Sequence, residues 1–192
     1  MKLPPGVYVS FAGAAEAQAK ARRDLIAYSA LAGLGIVVLL AVVTGSNRNL
    51  ILVLVNLPFA FVGGVAAVAA TGAVVSLGSI VGFVTLFGIS LRNTIMMVSH
   101  YEHLTAVEGR AWGRQAAIEG AADRLVPILM TSLVTGLGLL PLALGAGEPG
   151  REIEGPMALV ILGGLVTSTV LNLLILPTLA LRHGRFGPDG AA

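Results

Sequence analysis

The stretch that decides the fold is "LILVLVNLPFAFVGGVAAVAATGAVVSLGSIVGFVTLFGISL", residues 50–91, which contains no Asp, Glu, Lys or Arg. A helix needs roughly 20 apolar residues to cross the hydrocarbon core of a bilayer, so this run is long enough for two crossings. The "TG" at 71–72, followed by "SLGS" at 76–79, is typical of the turn that would join them. The stretch therefore predicts two membrane-spanning segments that run in opposite directions.

Uncharged runs also occur on both sides of this stretch, in a sequence that is 56% hydrophobic and only 11% charged. Hydrocarbon offers no hydrogen-bond partners to an open backbone, so each span must be a helix. The sequence thus predicts an all-α integral membrane protein whose membrane domain covers 25–182. We predict five transmembrane helices, near 25–43, 50–70, 74–98, 125–146 and 156–181.

The segments outside the spans carry most of the charge. Residues 1–11, "MKLPPGVYVSF", predict an extended strand, and the alanine-rich residues 12–24 predict a helix that runs into the first span. One strand and one helix cannot build a core, so 1–24 is predicted to be the edge of a larger domain. The charged segment 99–124, with Trp112, fits either an interfacial helix or a solvated connector. Residues 183–192 are predicted to form a tail.

Charge and cysteine content exclude some classes of function. The chain has no cysteine, which excludes disulfides and thiolate metal sites, and its formal net charge of +2 is too small to suggest nucleic acid binding. Arginines in short loops indicate the cytoplasmic side of a membrane protein. Six of these arginines fall on one side, and only Arg151 falls on the other; the six are Arg48, Arg110, Arg114, Arg124, Arg182 and Arg185. The basic residues of the N-terminal segment, which lies on the Arg151 side, nearly balance this count.

An arginine, Arg92, lies within the third predicted span. On a helical wheel it shares a stripe with mostly small residues, Gly78, Val81, Thr85, Gly88 and Ser99, beside a bulky face made by Leu77, Ile80, Val84, Phe87, Leu91 and Val98. Small residues mark the side where helices approach closely, so we expect Arg92 to face protein and the bulky face to meet lipid. The alternative is that Arg92 extends towards the membrane surface, since Val98 is roughly 9 Å away along the axis.

An intramembrane cation is expected to have an anionic partner, yet no Asp or Glu lies within the five predicted spans. The partner is therefore on another chain or segment, or carbonyls and water satisfy the charge. On the fourth span, Arg124, Thr131, Thr135 and Gly138 share one face. The simpler interpretation of the threonines is a hydrogen bond to the carbonyl one turn back.

Other polar residues offer weaker candidates. His100, Glu102 and His103 follow the third span and could form a metal or enzyme site, but a solvated helix end is the simpler interpretation, because a zinc site needs three or four ligands. Asn56 and Asn172 are predicted to hydrogen-bond neighbouring helices. The sequence contains no recognisable catalytic set and suggests no cofactor.

Several segments together resemble the resistance-nodulation-division efflux transporters, and within that family the heavy-metal efflux branch. The matching segments are "LPPGVYVSFAG" (3–13), "NLPFAFVGGV" (56–65), "SLGSIVGFVTLFGISLRNTIMMVSHYEHL" (76–104) and "RLVPILMTSLVTGLGLLPLALGAGEPGREIEGPMALVILGGLVTSTVLNLLILP" (124–177). The resemblance implies that the five spans are the last five of a twelve-helix transporter in the bacterial inner membrane. It also implies that 1–24 closes a periplasmic α+β porter domain, with the N-terminus periplasmic and the C-terminus cytoplasmic.

The resemblance also implies a proton relay, with the proton as coupling ion. Arg92 occupies the position of a basic residue of the tenth helix, with Asn93 beside it, and Arg124 and Thr131 match a basic residue and a threonine of the eleventh helix. Their partners in the family are carboxylates of the fourth helix, which is not in this sequence. The implied assembly is a homotrimer with a periplasmic adaptor and an outer-membrane channel.

The substrate class follows less directly from the resemblance. Copper and silver members have a methionine where Glu154 stands and an acidic residue where Arg92 stands, and thioethers suit Cu(I) better than divalent ions. We therefore expect export of divalent cations such as zinc, cobalt, nickel or cadmium, and assign no metal ligands. The alternatives are an exporter of drugs or other organic solutes, a membrane enzyme, and a fragment that does not transport.

Overall fold

The computed structural model describes residues 13–44, 47–72, 75–184 and 186, and these form five long helices. The helices are α1 (Ala14–Thr44), α2 (Asn47–Ala70), α3 (Leu77–Ala106), α4 (Arg114–Leu144) and α5 (Glu154–His183). All five are long and apolar enough to cross a membrane, and the described residues contain no strand. The predicted all-α membrane architecture is confirmed. The strand predicted at 1–11 lies outside the described residues.

The helices extend beyond the predicted spans where the sequence is charged. Residues 99–106 continue α3, and α4 already begins at Arg114, so the predicted connector 99–124 contains a loop of only 107–113. A helix satisfies its own backbone hydrogen bonds in water as well as in lipid, so it need not end at the membrane surface. The turn predicted at 71–72 is present, with Gly72 at a φ of 63°.

Aromatic packing closes the end of the bundle where α3, the 107–113 loop and the C-terminus of α5 meet. Trp112 packs against both Tyr101 and Phe186, with ring centroids 5.1 Å and 4.3 Å away. The Tyr101 ring is fully buried, and its hydroxyl donates to the carbonyl oxygen of Ala117 at 3.3 Å. Trp112 therefore lies in the loop between α3 and α4, and its ring packs inwards.

The centre of the bundle is the close contact between α2 and α5. A Cβ on Gly63 would overlap the carbonyl oxygen of Gly163, and a Cβ on Gly163 would overlap Ala67 and the backbone of Gly63. Thr167 on α5 donates across the contact to the carbonyl oxygen of Ala60 at 3.3 Å. Lipid provides no hydrophobic drive for helix association, so such close packing and polar contacts hold membrane helices together.

A buried polar cluster joins α2, α3 and α5. Asn56 Nδ2 donates to Asn172 Oδ1 at 2.8 Å and lies 2.7 Å from Thr94 Oγ1, so the predicted role of Asn56 and Asn172 in contacts between helices is confirmed. One turn away, the hydroxyls of Ser90 and Ser168 lie 3.0 Å apart. These residues are almost fully buried, and each hydrogen bond fixes the rotation of one helix against another.

Gly63→Ala should destabilise the bundle by about 1–3 kcal/mol, because the added methyl group meets backbone atoms of α5 that no rotamer change can move. The matched control is Gly35→Ala on α1, where a Cβ meets nothing within 4 Å. That change should be neutral or stabilising by up to about 1 kcal/mol, since alanine has the higher helix propensity. Loss of helical circular dichroism during denaturing-detergent titration measures both. Equal stabilities for the two variants would contradict the close contact.

Candidate functional site

The side of α3 that carries Arg92 is exposed along most of its length. Its exposed residues recur every three or four positions and form a stripe, which we call the Arg92 stripe: Thr85, Gly88, Arg92, Met96 and Ser99. By helix periodicity this stripe lies opposite the buried Ser90, Thr94 and Met97. Arg92 therefore points away from the polar cluster that α3 shares with α2 and α5.

The predicted orientation of α3 is partly wrong. Leu91 and Val98, which were expected to meet lipid, are only 2% and 3% exposed and belong to the apolar core of the bundle. Their side of α3 is covered because α2 packs there, as the hydrogen bond from Asn49 Nδ2 to Glu102 Oε1 at 3.0 Å indicates. Arg92 forms no ion pair with any residue of the described ranges, and its side chain is exposed.

The Arg92 stripe differs in chemistry from the exposed side of α2. The α2 stripe consists entirely of bulky apolar residues, namely Ile51, Val55, Phe59, Val62 and Val65. Such a surface suits contact with acyl chains, whereas the Arg92 stripe carries only one large apolar side chain, Met96, among Thr, Gly, Arg and Ser. A cation exposed to lipid at this depth costs several kcal/mol on insertion scales. The Arg92 stripe is therefore suited to contact with protein or with water.

Asn93 and Arg124 are partly or fully enclosed. Asn93 is 5% exposed, and its Nδ2 donor has no hydrogen-bond partner among the described residues. Arg124 is half-buried, and its Nε donor is buried and also has no hydrogen-bond partner among the described residues. A buried donor without an acceptor costs about 1–3 kcal/mol. Both groups would thus gain from a hydrogen-bond acceptor.

The helices α3 and α4 meet at the end of the bundle near the 107–113 loop. His100 Nε2 lies 3.1 Å from Asp123 Oδ2, and Gly120 packs directly on the Tyr101 ring. Arg92 precedes His100 by eight residues and Thr131 follows Asp123 by eight, so both lie about 12 Å along their helices from this contact. By this residue count, Arg92 and Thr131 lie at similar heights along α3 and α4.

Thr131 and Thr135 differ in their local contacts. Thr131 Oγ1 donates to the carbonyl oxygen of Pro127 at 2.9 Å, as the simpler interpretation of membrane threonines predicted. The Thr131 side chain is exposed, so its oxygen can still accept a second hydrogen bond, whereas Thr135 is half-buried. Beyond this level the neighbour of α4 is α5, since Ser132 Oγ lies 2.7 Å from Thr169 Oγ1.

The residues His100, Glu102 and His103 do not converge on one point. Each contacts a different partner: His100 lies beside Asp123, Glu102 accepts from Asn49, and His103 Nε2 lies 3.9 Å from Glu108 Oε1. Within the described ranges no group of three His, Asp or Glu side chains is placed to hold a metal ion. The arrangement favours a helix end fixed by separate polar contacts.

Sequence reasoning missed two features of the site region. It predicted hydrogen bonds for Asn56 and Asn172, but it did not predict that Ser90, Thr94 and Ser168 belong to the same cluster. Ser90 precedes Thr94 by four residues, and Ser168 precedes Asn172 by four. This spacing places each pair on one face of its helix and could have indicated the cluster. It also counted Arg48 and Arg182 only as loop charges, whereas the structure brings both to one cleft between α2 and α5.

Comparison with known proteins gives a consistent result over nearly the whole chain. Residues 1–181 match the model of the AcrB/AcrD/AcrF family. The chain is 36% identical over 92% of its length to the nickel-cobalt-cadmium resistance protein NccA of Alcaligenes xylosoxydans xylosoxydans. It is also 35% identical over 93% of its length to the multidrug resistance protein MdtC of Erwinia tasmaniensis.

A solved structure supports the same relationship at the level of the fold. The crystal structure of a heavy metal efflux pump, crystal form II, superimposes on 87% of this chain with a TM-score of 0.72 and 34% identity. The chain spans only 16% of the length of that pump, 16% of NccA and 17% of MdtC. The similarity therefore concerns one membrane segment of much longer proteins.

The double substitution His100→Ala and His103→Ala should not change the affinity of the chain for Zn²⁺, because the two side chains contact separate carboxylates. Loss of the exposed contacts should lower stability by less than about 1 kcal/mol. Isothermal titration with Zn²⁺ and a denaturation curve measure the two effects. A tenfold or greater loss of zinc affinity would show that His100 and His103 bind zinc.

Proposed function

Because the chain belongs to the AcrB/AcrD/AcrF family of resistance-nodulation-division efflux transporters, we propose that it forms part of a proton-driven pump for divalent heavy-metal cations. The Arg92 stripe supports the proton-coupled part of this proposal, since it carries an exposed cation on a side of α3 that is unsuited to lipid. The relationship to NccA supports the metal part.

Arg92 acts in this proposal as a counter-ion. A guanidinium stays protonated at every physiological pH, so Arg92 cannot itself carry the transported proton. It can hold a carboxylate of another segment in the ionised form, and protonation of that carboxylate then releases Arg92 to change partners. A pair of this kind has two arrangements whose balance depends on proton binding, which is what coupling to a proton gradient requires.

The neighbouring polar groups complete the proposed coupling site. Thr131 lies at the level of Arg92 and offers an exposed hydroxyl, and Asn93 and Arg124 provide buried donors without acceptors in the described part of the chain. A segment that carries carboxylates and packs between α3 and α4 would supply those acceptors. We assign that segment to the part of the pump that precedes this chain, and the assembly to a homotrimer with adaptor and outer-membrane channel partners.

The substrate preference in this proposal depends on Glu154 and on the relatives. Glu154 is exposed at the start of α5, where copper and silver members of the family carry a methionine. A carboxylate oxygen suits divalent ions better than Cu(I). We further propose that the N-terminus faces the periplasm and the 107–113 loop the cytoplasm of a bacterial inner membrane, because Arg48, Arg110 and Arg182 gather at the loop end.

Arg92→Ala should abolish proton-coupled efflux, because the carboxylate of the pair would lose its counter-ion. The experiment uses a chimera in which this chain replaces the matching segment of the full-length nickel-cobalt-cadmium relative. Uptake of Ni²⁺ or Cd²⁺ into inverted vesicles under an imposed pH gradient should fall at least tenfold. Arg92→Lys keeps the cation and should retain part of the rate.

Arg114→Ala is the matched control, since Arg114 is an exposed arginine at the start of α4 and outside the Arg92 stripe. It should leave the uptake rate within about twofold of the parent chimera. Retained pH-dependent uptake in the Arg92→Ala chimera would refute the counter-ion role.

The second candidate function is export of drugs or other organic solutes, and the 35% identity to MdtC is the observation that favours it. Transplanting this chain into both the nickel-cobalt-cadmium and the multidrug relative separates the two. We expect growth protection against Ni²⁺, Co²⁺ and Cd²⁺ only in the metal host, with pumping lost in the drug host. Growth protection by the multidrug chimera alone would favour export of organic solutes over export of metal cations.

A further inference from the structure

A cleft of about 510 Å³ lies between the N-terminal end of α2 and the C-terminal end of α5. Its lining contains basic residues, Arg48, Arg182 and His183, and apolar residues, Ile51, Leu52, Val55 and Leu179. The basic residues lie at the helix ends, and Val55 lies about 10 Å further along α2 than Arg48. The cleft is therefore cationic at the membrane surface and apolar towards the membrane interior.

The arginines of the cleft pair with none of the acidic residues that the structure describes, although several of those acids are present at the same end of the bundle. Those acids are engaged elsewhere: Glu102 with Asn49, Asp123 with His100, and both Glu108 and Glu119 with Arg110. Arg48 and Arg182 are exposed and form no ion pair with any residue in the described part of the chain. Among the described residues, therefore, no acid competes with an external anion for these two guanidinium groups.

The apolar wall of the cleft identifies the kind of molecule that carries the anion. Ile51 and Val55 are 56% and 43% exposed and begin the bulky stripe of α2 that continues to Val65. A helix partner would be expected to meet small residues, as at the Gly63 contact, whereas bulky aliphatic side chains suit acyl chains. Charge and shape together fit an anionic amphiphile better than a second protein.

We propose that this cleft binds one anionic phospholipid. The phosphodiester group accepts hydrogen bonds from Arg48, Arg182 and His183, and one acyl chain lies along Ile51, Val55 and Leu179. An arginine can donate two parallel hydrogen bonds to a phosphate, which gives two arginines enough donors for both free oxygens. Basic pockets between transmembrane helices are known to bind anionic headgroups. The lipid would bridge the N-terminal end of α2 and the C-terminal end of α5.

Native mass spectrometry of the chain in a neutral detergent tests the proposal, with phosphatidylglycerol or phosphatidylcholine added in parallel. Phosphatidylglycerol should bind at least tenfold more tightly than phosphatidylcholine. Arg48→Gln and Arg182→Gln should each weaken phosphatidylglycerol binding about fivefold, and the double variant about 25-fold. Arg114→Gln removes an exposed arginine at the same end but outside the cleft, and should weaken binding less than twofold.

Two further arms separate the possible sources of the signal. Val55→Trp fills the apolar wall without changing charge and should remove the phosphatidylglycerol adduct while the helical circular dichroism stays unchanged. Inorganic phosphate at millimolar concentration should not displace the lipid, because it lacks an acyl chain. Displacement by phosphate would make the cleft an anion site only, and equal binding of phosphatidylcholine would make it a general lipid-facing groove.

If Arg48→Gln and Arg114→Gln lowered the affinity for phosphatidylglycerol equally, binding would depend on overall surface charge and not on the cleft, and the proposal would be wrong. Failure of the cleft to take up any lipid, with full binding of a peptide copy of another helix of the pump, would assign the surface to protein. None of these outcomes bears on proton-coupled transport, which is measured separately through Arg92.

Discussion

The backbone contact between α2 and α5 at Gly63 and Gly163 is the constraint on which the other helix positions depend. Apolar side chains gain little free energy by leaving lipid for protein, so helices in a bilayer need close contact and directed hydrogen bonds to choose one arrangement. The glycine contact brings the two backbones together, and the amide groups of Asn56 and Asn172 can then meet. Thr94 of α3 joins the same pair and fixes the rotation of the third helix. The helices α1 and α4 pack around this centre and remain largely exposed.

The rotation of α3 determines which of its residues are available to other segments. Once Ser90 and Thr94 face the polar cluster, periodicity turns Arg92 to the opposite side, and no choice of side-chain rotamer brings it back. The position of a candidate coupling residue thus follows from hydrogen bonds made by its neighbours. The same rotation buries Asn93 beside the stripe, where its donor lacks an acceptor within the described ranges. The helix α3 therefore has two polar sides: an inward one with Ser90 and Thr94, and an outward one with Arg92.

Much of the fold could be predicted from the sequence, because uncharged runs longer than 18 residues leave few alternatives to membrane helices. The turn at 71–72 followed from its glycine, and the role of Asn56 and Asn172 in bonding neighbouring helices followed from their polarity in apolar surroundings. The rotation of α3 could not be predicted fully, since Leu91 and Val98 look like lipid-facing residues until α2 is known to cover them. The extent of α3 and α4 was underestimated because charge marks the membrane surface and not the end of a helix. Arg92, Asn93, Arg124 and Thr131 could be named as candidates, but their acceptors could not, because the carboxylates that the family resemblance implies belong to another segment.

Three arginines illustrate how depth and surroundings decide the role of one residue type. Arg48 and Arg182 lie at helix ends above apolar walls, where a guanidinium stays hydrated and can bind a lipid headgroup at little cost. Arg92 lies well inside α3, on a side where the neighbours are small or polar, and there a permanent charge is costly unless another group compensates it. A charge that only anchored the helix would be expected at its end. A charge placed mid-helix fits the proposed pairing with an anionic group of another segment, because such a partner would offset the cost of a cation within the membrane.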